Sequence, residues 1–412
     1  MGNHKKRIAV AMSGGVDSSV AAKLLRDQGY EVVGIFLHFW KEQPSLKKGD
    51  RGDLNFENKC CSAEALADAR RVAAKIGIPL HVLNFSKIFK KQVVDNFLTE
   101  YGRGRTPNPC VRCNKTVKLG YLINQAKKLG FDYAASGHYV NLKQKDKKFS
   151  LYKAKDKNKD QSYFLYTFNQ KELKHLLFPL GNYTKLQVRR LAKKFKLPVA
   201  EKPESQEICF VPGKSHNEFL RRHLKLKPGP IVILERSASG ARPPCKQSVA
   251  GAAIESRGFS EKNQDSISPP AQGRSPSRMT KNKIIGQHQG LPLYTVGQRK
   301  GIEIGGTGPY YAARMDYKTN ILYVVNNSND KILYNNKLIA KNVNWISGAE
   351  PKLPLKCQAV IRYRHKPVTC VVVKNKNLYQ VKFKEPQRAI TSGQSVVFYK
   401  NNLALGGGII EY

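Results

Sequence analysis

The chain has 412 residues, too many for one core of usual size, so its length predicts two or three domains with ample apolar surface to bury. Its 72 Lys and Arg against 30 Asp and Glu give a formal net charge of +42, which excludes an acidic solvating chain and points to a polyanionic partner, RNA or DNA. No run approaches the roughly 18 apolar residues of a membrane helix; the first strand follows almost directly on Met1, leaving no room for a leader, so a cytoplasmic protein is expected.

Arg7 to Met12 reads as a buried parallel strand, and Val20 to Leu25 repeats apolar residues at helical spacing. Between them stands Ser13-Gly14-Gly15-Val16-Asp17-Ser18-Ser19. A glycine turn from a strand into a helix start offers unpaired backbone N–H groups and a positive dipole to a phosphate. The serine hydroxyls add donors, and Asp17 is a candidate to hold Mg²⁺ against those phosphates. No Lys-Ser or Lys-Thr follows the glycines, so the loop is not that of the common kinases and GTPases.

Further on, Glu31 to Phe36 predicts a second strand, Ala63 to Ile76 an amphipathic helix, Leu80 to Phe85 a third strand and Phe131 to Ala135 another. Strands alternating with helices predict an α/β fold with a parallel sheet whose ligand site lies at the carboxyl ends of the strands. Ser136-Gly137-His138-Tyr139 falls on that edge, and Asn141 to Asp160 reads as a hairpin returning to the sheet. The aromatic run Tyr163 to Phe168 reads as core. Beyond Val211-Pro212-Gly213 the chain breaks into short apolar runs, which predict a small central β domain and a C-terminal β-barrel. The boundaries expected are 1–213, 214–325 and 326–412. Residues 235–282, rich in Ser, Pro, Gly and Arg, predict a mobile loop in which Cys245 is incidental.

Eight cysteines in such a chain read as reduced, catalytic or metal-binding thiols. Thr106-Pro107-Asn108-Pro109-Cys110-Val111-Arg112-Cys113 brings a C-x-x-C pair in on two prolines, with a helix expected over Thr116 to Ala126. That places Cys113 near a helix N-terminus between Arg112 and Lys115, a setting that favours the thiolate. Cys209 lies in a short apolar run at the end of the α/β part; facing one activated carbonyl, Cys113 and Cys209 would form a sulfur-transfer pair. No second C-x-x-C or His pair completes a zinc site. Cys110, Cys113 and Cys209 as three ligands of an iron–sulfur cluster is the alternative left open. Cys60-Cys61 reads as loop or early helix, and Cys357 and Cys370 as barrel core.

The Ser13 to Ser19 loop resembles the PP-loop of ATP pyrophosphatases, which split ATP between the α and β phosphates. With Pro-Asn-Pro-Cys-x-x-Cys, Ser-Gly-His-Tyr, Lys159-Asp160-Gln161-Ser162-Tyr163-Phe164-Leu165-Tyr166, Glu207-Ile208-Cys209-Phe210, Tyr294 to Gly301, Ile361 to Arg364 and Leu405-Gly406-Gly407-Gly408, nearly the whole chain resembles the tRNA-specific 2-thiouridylases. The resemblance implies ATP-dependent 2-thiouridine synthesis at the wobble position of tRNA, by a monomer served by a persulfide donor from a cysteine desulfurase and by a cellular reductant. It puts the nucleophile on Cys113 and the persulfide on Cys209. Nucleotide contacts fall on Ala11, Met12, Ser13, Gly14, Gly15, Val16, Asp17, Ser18, Leu37 and Gly137. The target uridine falls on Asn108, Pro109 and Cys110, and other tRNA contacts on His138, Lys159, Asp160, Gln161, Arg362, Tyr363 and Gln394. Arg362 and Arg364, alternating with Tyr363 along an expected strand, would face RNA together. Some family members carry Asp at the position of Cys110, and 235–282 matches no segment of their short connection. Competing readings are another PP-loop ligase, such as argininosuccinate synthetase, and an inactive tRNA-binding module.

Overall fold

The computed structural model describes residues 5–40, 62–204, 208–211, 216–234, 283–302, 304–305 and 308–411. Cys60, Cys61, Cys245 and the expected mobile loop lie outside them. Among the described residues no helix is long and apolar enough to cross a membrane.

The first unit is built on β1 (Arg7–Met12), α1 (Val16–Asp27), β2 (Glu31–His38), α2 (Ala63–Ile76) and β3 (Leu80–Asn84). Apolar β1 and β2 are covered on both faces, as parallel strands require. A helical stretch follows, α3 (Ser86–Phe89), a π-helical turn (Lys90–Val94) and α4 (Asp95–Gly102), then α5 (Pro109–Cys113), a second π-helical turn (Asn114–Lys118), α6 (Gly120–Lys128) and β4 (Tyr133–Ala135). After β5 (Asn141–Lys145) and β6 (Lys148–Tyr152) come α7 (Gln170–Leu173), β7 (Leu176–Leu177), α8 (Lys185–Lys194) and α9 (His216–His223). The sheet order is β3-β2-β1-β4-β7, and every pairing is parallel. Chain order runs outward from β1 through β2 to β3, then resumes on the other side of β1 with β4. The crevice between the carboxyl ends of β1 and β4 is therefore the switch point where such sheets bind ligands.

A second sheet, ordered β10-β11-β8-β9, joins β8 (Gly229–Ile233), β9 (Lys283–His288), β10 (Tyr311–Asp316) and β11 (Ile321–Val325). The last six strands, β12 (Tyr334–Trp345), β13 (Leu355–Val360), β14 (Val368–Asn375), β15 (Leu378–Arg388), β16 (Ser395–Lys400) and β17 (Leu403–Glu411), pair in the order β12-β15-β14-β13-β16-β17. β17 then pairs back to β12 and closes the barrel, which leaves no edge between them. The fold is thus the expected parallel α/β unit, central β unit and C-terminal barrel. Cys357 and Cys370 face each other across β13 and β14, buried in the barrel as expected, with sulfurs 3.6 Å apart.

Two local expectations fail. The β5–β6 hairpin does not return to the parallel sheet; Leu151 and Tyr152 pair with Ala404 and Leu403 of β17, so the hairpin straps the first unit to the barrel. Ile361 to Arg364 is a turn after β13 and not a strand, with Arg364 at φ 66°. The two arginines therefore do not share a strand face.

Candidate active site

The Ser13 to Ser19 loop sits at the switch point, and its two glycines do different work. Gly14 has φ +69°, and a Cβ there would lie 2.1 Å from the backbone oxygen of Ala65 in the first turn of α2. Gly15 is the N-cap of α1 with φ −102° and no side-chain capping bond, and its Cβ would meet nothing nearer than Ser13 Oγ at 3.4 Å. Gly14 lets the loop dock on α2, and Gly15 keeps the approach to the first N–H groups of α1 open. Ser18 Oγ accepts from Ser13 N at 3.2 Å, lies 3.2 Å from Ser13 Oγ and donates to Gly15 O at 3.1 Å. Ser19 Oγ reaches the same carbonyl at 2.8 Å. Ala11, Met12, Val16 and Leu37 are buried, so at the strand ends it is backbone that can meet a ligand. Gly137 closes the crevice from β4: a Cβ on it would lie 2.6 Å from Asp17 C and 2.7 Å from Ser18 N.

Asp17 is the hub of a charged cluster that spans four segments. Its Oδ1 accepts from Tyr139 Oη at 2.7 Å and from Lys185 Nζ at 2.6 Å. Lys185 also contacts Glu204 at 3.0 Å, and Glu204 in turn pairs with Lys159. Burial, followed by the neighbouring Asp17 carboxylate, pushes the Tyr139 phenol far up, so it stays a donor. Burial opposes ionisation of Glu204, but its bonds to Lys159 and Lys185 outweigh that and hold its carboxyl below the usual range. Lys185 and Glu204 are not legible as site residues in the sequence. Thr184 and Gln187 form a capping box that marks the start of α8, yet nothing local tells that Lys185 reaches Asp17.

The residues expected to meet RNA occupy varied positions. His138 is buried with Nδ1 2.8 Å from Ser136 Oγ, and burial, then nearby Lys118, drives its pKa well down, so it is neutral. Asp160 Oδ1 accepts from the backbone N of Ala154 at 3.0 Å, and Oδ2 from Ser162 Oγ at 2.8 Å. Burial raises its pKa against those bonds. Gln161 Oε1 accepts from Tyr139 N at 2.9 Å. Tyr363 packs on Phe164 with ring centroids 4.4 Å apart, and Arg362 bonds Thr391 Oγ1 at 3.3 Å.

The cysteine loop hangs on all three units. Gln394 of the barrel donates to the carbonyls of Thr106 and Pro107 at 3.0 and 3.3 Å, and Thr106 N donates to Ser392 O at 2.9 Å. Arg105 pairs with Glu411 at 2.6 Å, and Thr106 Oγ1 lies 3.2 Å from Thr295 Oγ1 of the central unit. Asn108 then caps α5 through Val111 N at 3.2 Å, with Pro109 as its first residue. The helix therefore begins about two turns earlier than the expected Thr116. Cys110 lies exposed in the first turn, whereas Cys113 closes α5 and leads into the π-helical turn. Of the flanking charges, Lys115 Nζ bonds the Glu172 carboxylate at 2.5 and 2.6 Å, whereas Arg112 is held by neutral Gln92 and keeps its charge. The expected electropositive setting of Cys113 is correspondingly weakened.

Cys113 and Cys209 are both half-buried and pack against one core, to which Ala11 and Leu37 also belong. Phe210 fixes the second cysteine by packing on Phe89 and Phe97 at 5.7 and 5.2 Å, on the helical stretch that Arg112 also grips at Gln92. Among the described residues no group of three or more His, Cys, Asp or Glu is placed to hold a metal ion.

Residues 6–213 match the tRNA methyl transferase HUP domain family, 270–326 the tRNA methyl transferase PRC-barrel domain and 335–410 the aminomethyltransferase beta-barrel domain. The tRNA-specific 2-thiouridylase MnmA of Carboxydothermus hydrogenoformans is 42% identical over 412 residues, covering 99% of this chain and 98% of the relative. MnmA 2 of Clostridium tetani is 40% identical over 99% of both chains, and MnmA of Clostridium botulinum 39% identical over 100% and 99%. Identity of this extent over nearly the whole length of both chains makes this chain a member of the tRNA-specific 2-thiouridylase family.

Proposed function

We propose that this protein is an ATP-dependent tRNA-uridine 2-sulfurtransferase acting on the wobble uridine. The observation that supports the reading is a phosphate-ready helix start at the switch point, together with two half-buried cysteines from distant segments that pack against the same hydrophobic core as the strand-end residues Ala11 and Leu37.

The chemistry follows from the residues. Uridine O2 is a poor leaving group, so it first attacks the α-phosphate of ATP and releases pyrophosphate. The uncapped N–H groups of α1 and the Ser13 hydroxyl hold the phosphates as charge develops. Mg²⁺ supplies charge neutralisation when bound; Asp17 is the carboxylate available to it, with both of its hydrogen bonds on Oδ1. Sulfur arrives as a Cys209 persulfide loaded by a donor protein. Either the Cys113 thiolate attacks Cys209 Sγ, breaks the S–S bond and frees hydrosulfide to attack C2, or the persulfide attacks C2 directly and Cys113 resolves it. AMP departs with the old oxygen in both routes, and both leave a Cys113–Cys209 disulfide that a cellular dithiol reduces with two electrons.

The units responsible are residues 1–213 for nucleotide and sulfur chemistry, 214–325 as a central support and 326–412 as the barrel that sets the cysteine loop, in a cytoplasmic monomer. Asn108, Pro109 and Cys110 meet the target base, with Lys159, Arg362 and Tyr363 on the surrounding RNA. The experiment is nucleoside mass analysis of tRNA after reaction with ATP and a persulfide donor. ATP-dependent 2-thiouridine supports the reading, and RNA binding without pyrophosphate release refutes it in favour of a binding module.

A further inference from the structure

A cavity of about 590 Å³ lies between α9 and the segment 289–301 of the central unit. None of its lining residues belongs to the Ser13 to Ser19 loop or to the cysteine loop. Arg221, Arg299, Lys300 and His216 line it, and among the described residues no Asp or Glu does. Arg221 is oriented by a neutral partner, Gln289 Oε1 at 2.5 Å, so its charge is not cancelled there. Arg299 and Lys300 are exposed, and the turn that carries them is fixed from within. Gln298 accepts from Thr295 N at 3.0 Å and donates to the carbonyls of Lys300 and Leu293 at 2.8 and 3.2 Å, while Tyr294 Oη donates to Gly301 O at 3.1 Å. His216 forms part of the wall, with its ring 5.5 Å from that of Phe97 and 5.0 Å from that of Tyr101. Its Nε2 is buried with no hydrogen-bond partner among the described residues.

We propose that this cavity is a second RNA-binding site, which takes a ribose-phosphate segment of the tRNA away from the target base. The inference rests on the proposed function for the identity of the RNA. Three cations converge on one concavity with no carboxylate among its described walls, and two are guanidinium forks suited to phosphate oxygens. The volume suits a nucleotide unit rather than a bare phosphate. A preformed turn holds the backbone of two of the cations, so little backbone ordering entropy is lost on binding. An acidic protein segment is the rival occupant, and a flat charged face would suit it better than this recess.

The test is tRNA binding by fluorescence anisotropy for the wild type and for the triple variant Arg221→Gln, Arg299→Gln, Lys300→Gln, between about 50 and 200 mM salt. The slope of log affinity against log salt should fall by about 0.7 to 0.9 for each phosphate that the variant no longer neutralises, with at least tenfold weaker binding at low salt. ATP binding by calorimetry and the thermal midpoint should stay unchanged. Should the triple variant fold poorly, Lys300→Gln alone, at an exposed position, should lower the slope by the share of about one phosphate. An unchanged slope overturns the proposal, as does unchanged tRNA affinity with slower sulfur delivery from a protein donor. Failure of the functional reading is separate: the wild type would then bind tRNA without thiolating it.

Discussion

Replacing Gly14 and Gly15 one at a time by alanine separates the glycine that builds the phosphate loop from the one that leaves it open. Gly14→Ala must hold φ +69° with a side chain, at about 1 to 2 kcal/mol, and place Cβ 2.1 Å from Ala65 O. That oxygen is backbone in a helix turn and cannot swing away, so the overlap adds about 1 to 3 kcal/mol of overpacking. The whole loss is then about 2 to 5 kcal/mol, or a midpoint lower by roughly 4 to 20 °C for a domain of this size. Gly15→Ala keeps φ −102° and meets only Ser13 Oγ at 3.4 Å. Its stability should change by less than about 1 kcal/mol, the difference between Gly and Ala at an N-cap. Its new methyl group points where an anion must approach, so ATP affinity should drop while the fold survives. Thermal unfolding and ATP calorimetry on both variants give the answer. Equal destabilisation by the two, or full ATP affinity in Gly15→Ala, would refute the reasoning.

Asp17→Asn should abolish tRNA-dependent pyrophosphate release with tRNA affinity largely intact; Lys185→Met, which leaves Asp17 to Tyr139 alone and Glu204 to Lys159 alone, should reduce release and lower the melting temperature. Gln394→Ala leaves two loop carbonyls without their donor, which costs about 1 to 3 kcal/mol if they stay buried, and thiolation should fall while ATP binding persists. Cys113→Ser and Cys209→Ser should both release pyrophosphate and yield no 2-thiouridine, whereas Cys110→Ser should retain substantial thiolation, as scored by nucleoside mass analysis. His138 has a lowered folded pKa, so the unfolded chain takes up its proton first as pH falls and stability drops below about pH 6.5. His138→Gln should flatten that part of a denaturation series, and an unaltered profile would assign the acid lability to other groups.

Much of the nucleotide side is legible in the sequence because it is local. A buried strand, a glycine turn and an amphipathic helix stand side by side between Arg7 and Asp27, and their periodicity alone sets the helix start. The Ala63–Ile76 helix is legible to the residue because Ser62 and Gly77 cap it. What is not legible depends on long-range packing. The β5–β6 hairpin has ordinary hairpin chemistry, and only the free side of β17 decides which sheet it joins. Arg362 and Tyr363 alternate like strand residues, but a left-handed Arg364 breaks the strand. The setting of Cys113 differs from its sequence reading because Asn108 starts the helix early and because Glu172, far along the chain, takes up Lys115. Lys185 meets Asp17 only once the sheet has brought α8 beside α1.

On the proposed function, one site both activates uridine with ATP and delivers sulfur through Cys113 and Cys209. A single turnover with sulfur-34 persulfide on Cys209, tRNA and ATP, without reductant, tests it by mass analysis of both the tRNA nucleosides and the protein. One labelled 2-thiouridine per protein is expected, formed only with ATP, together with a Cys113–Cys209 disulfide in equal amount. Labelled 2-thiouridine with both thiols still reduced, or formed without ATP, would contradict it.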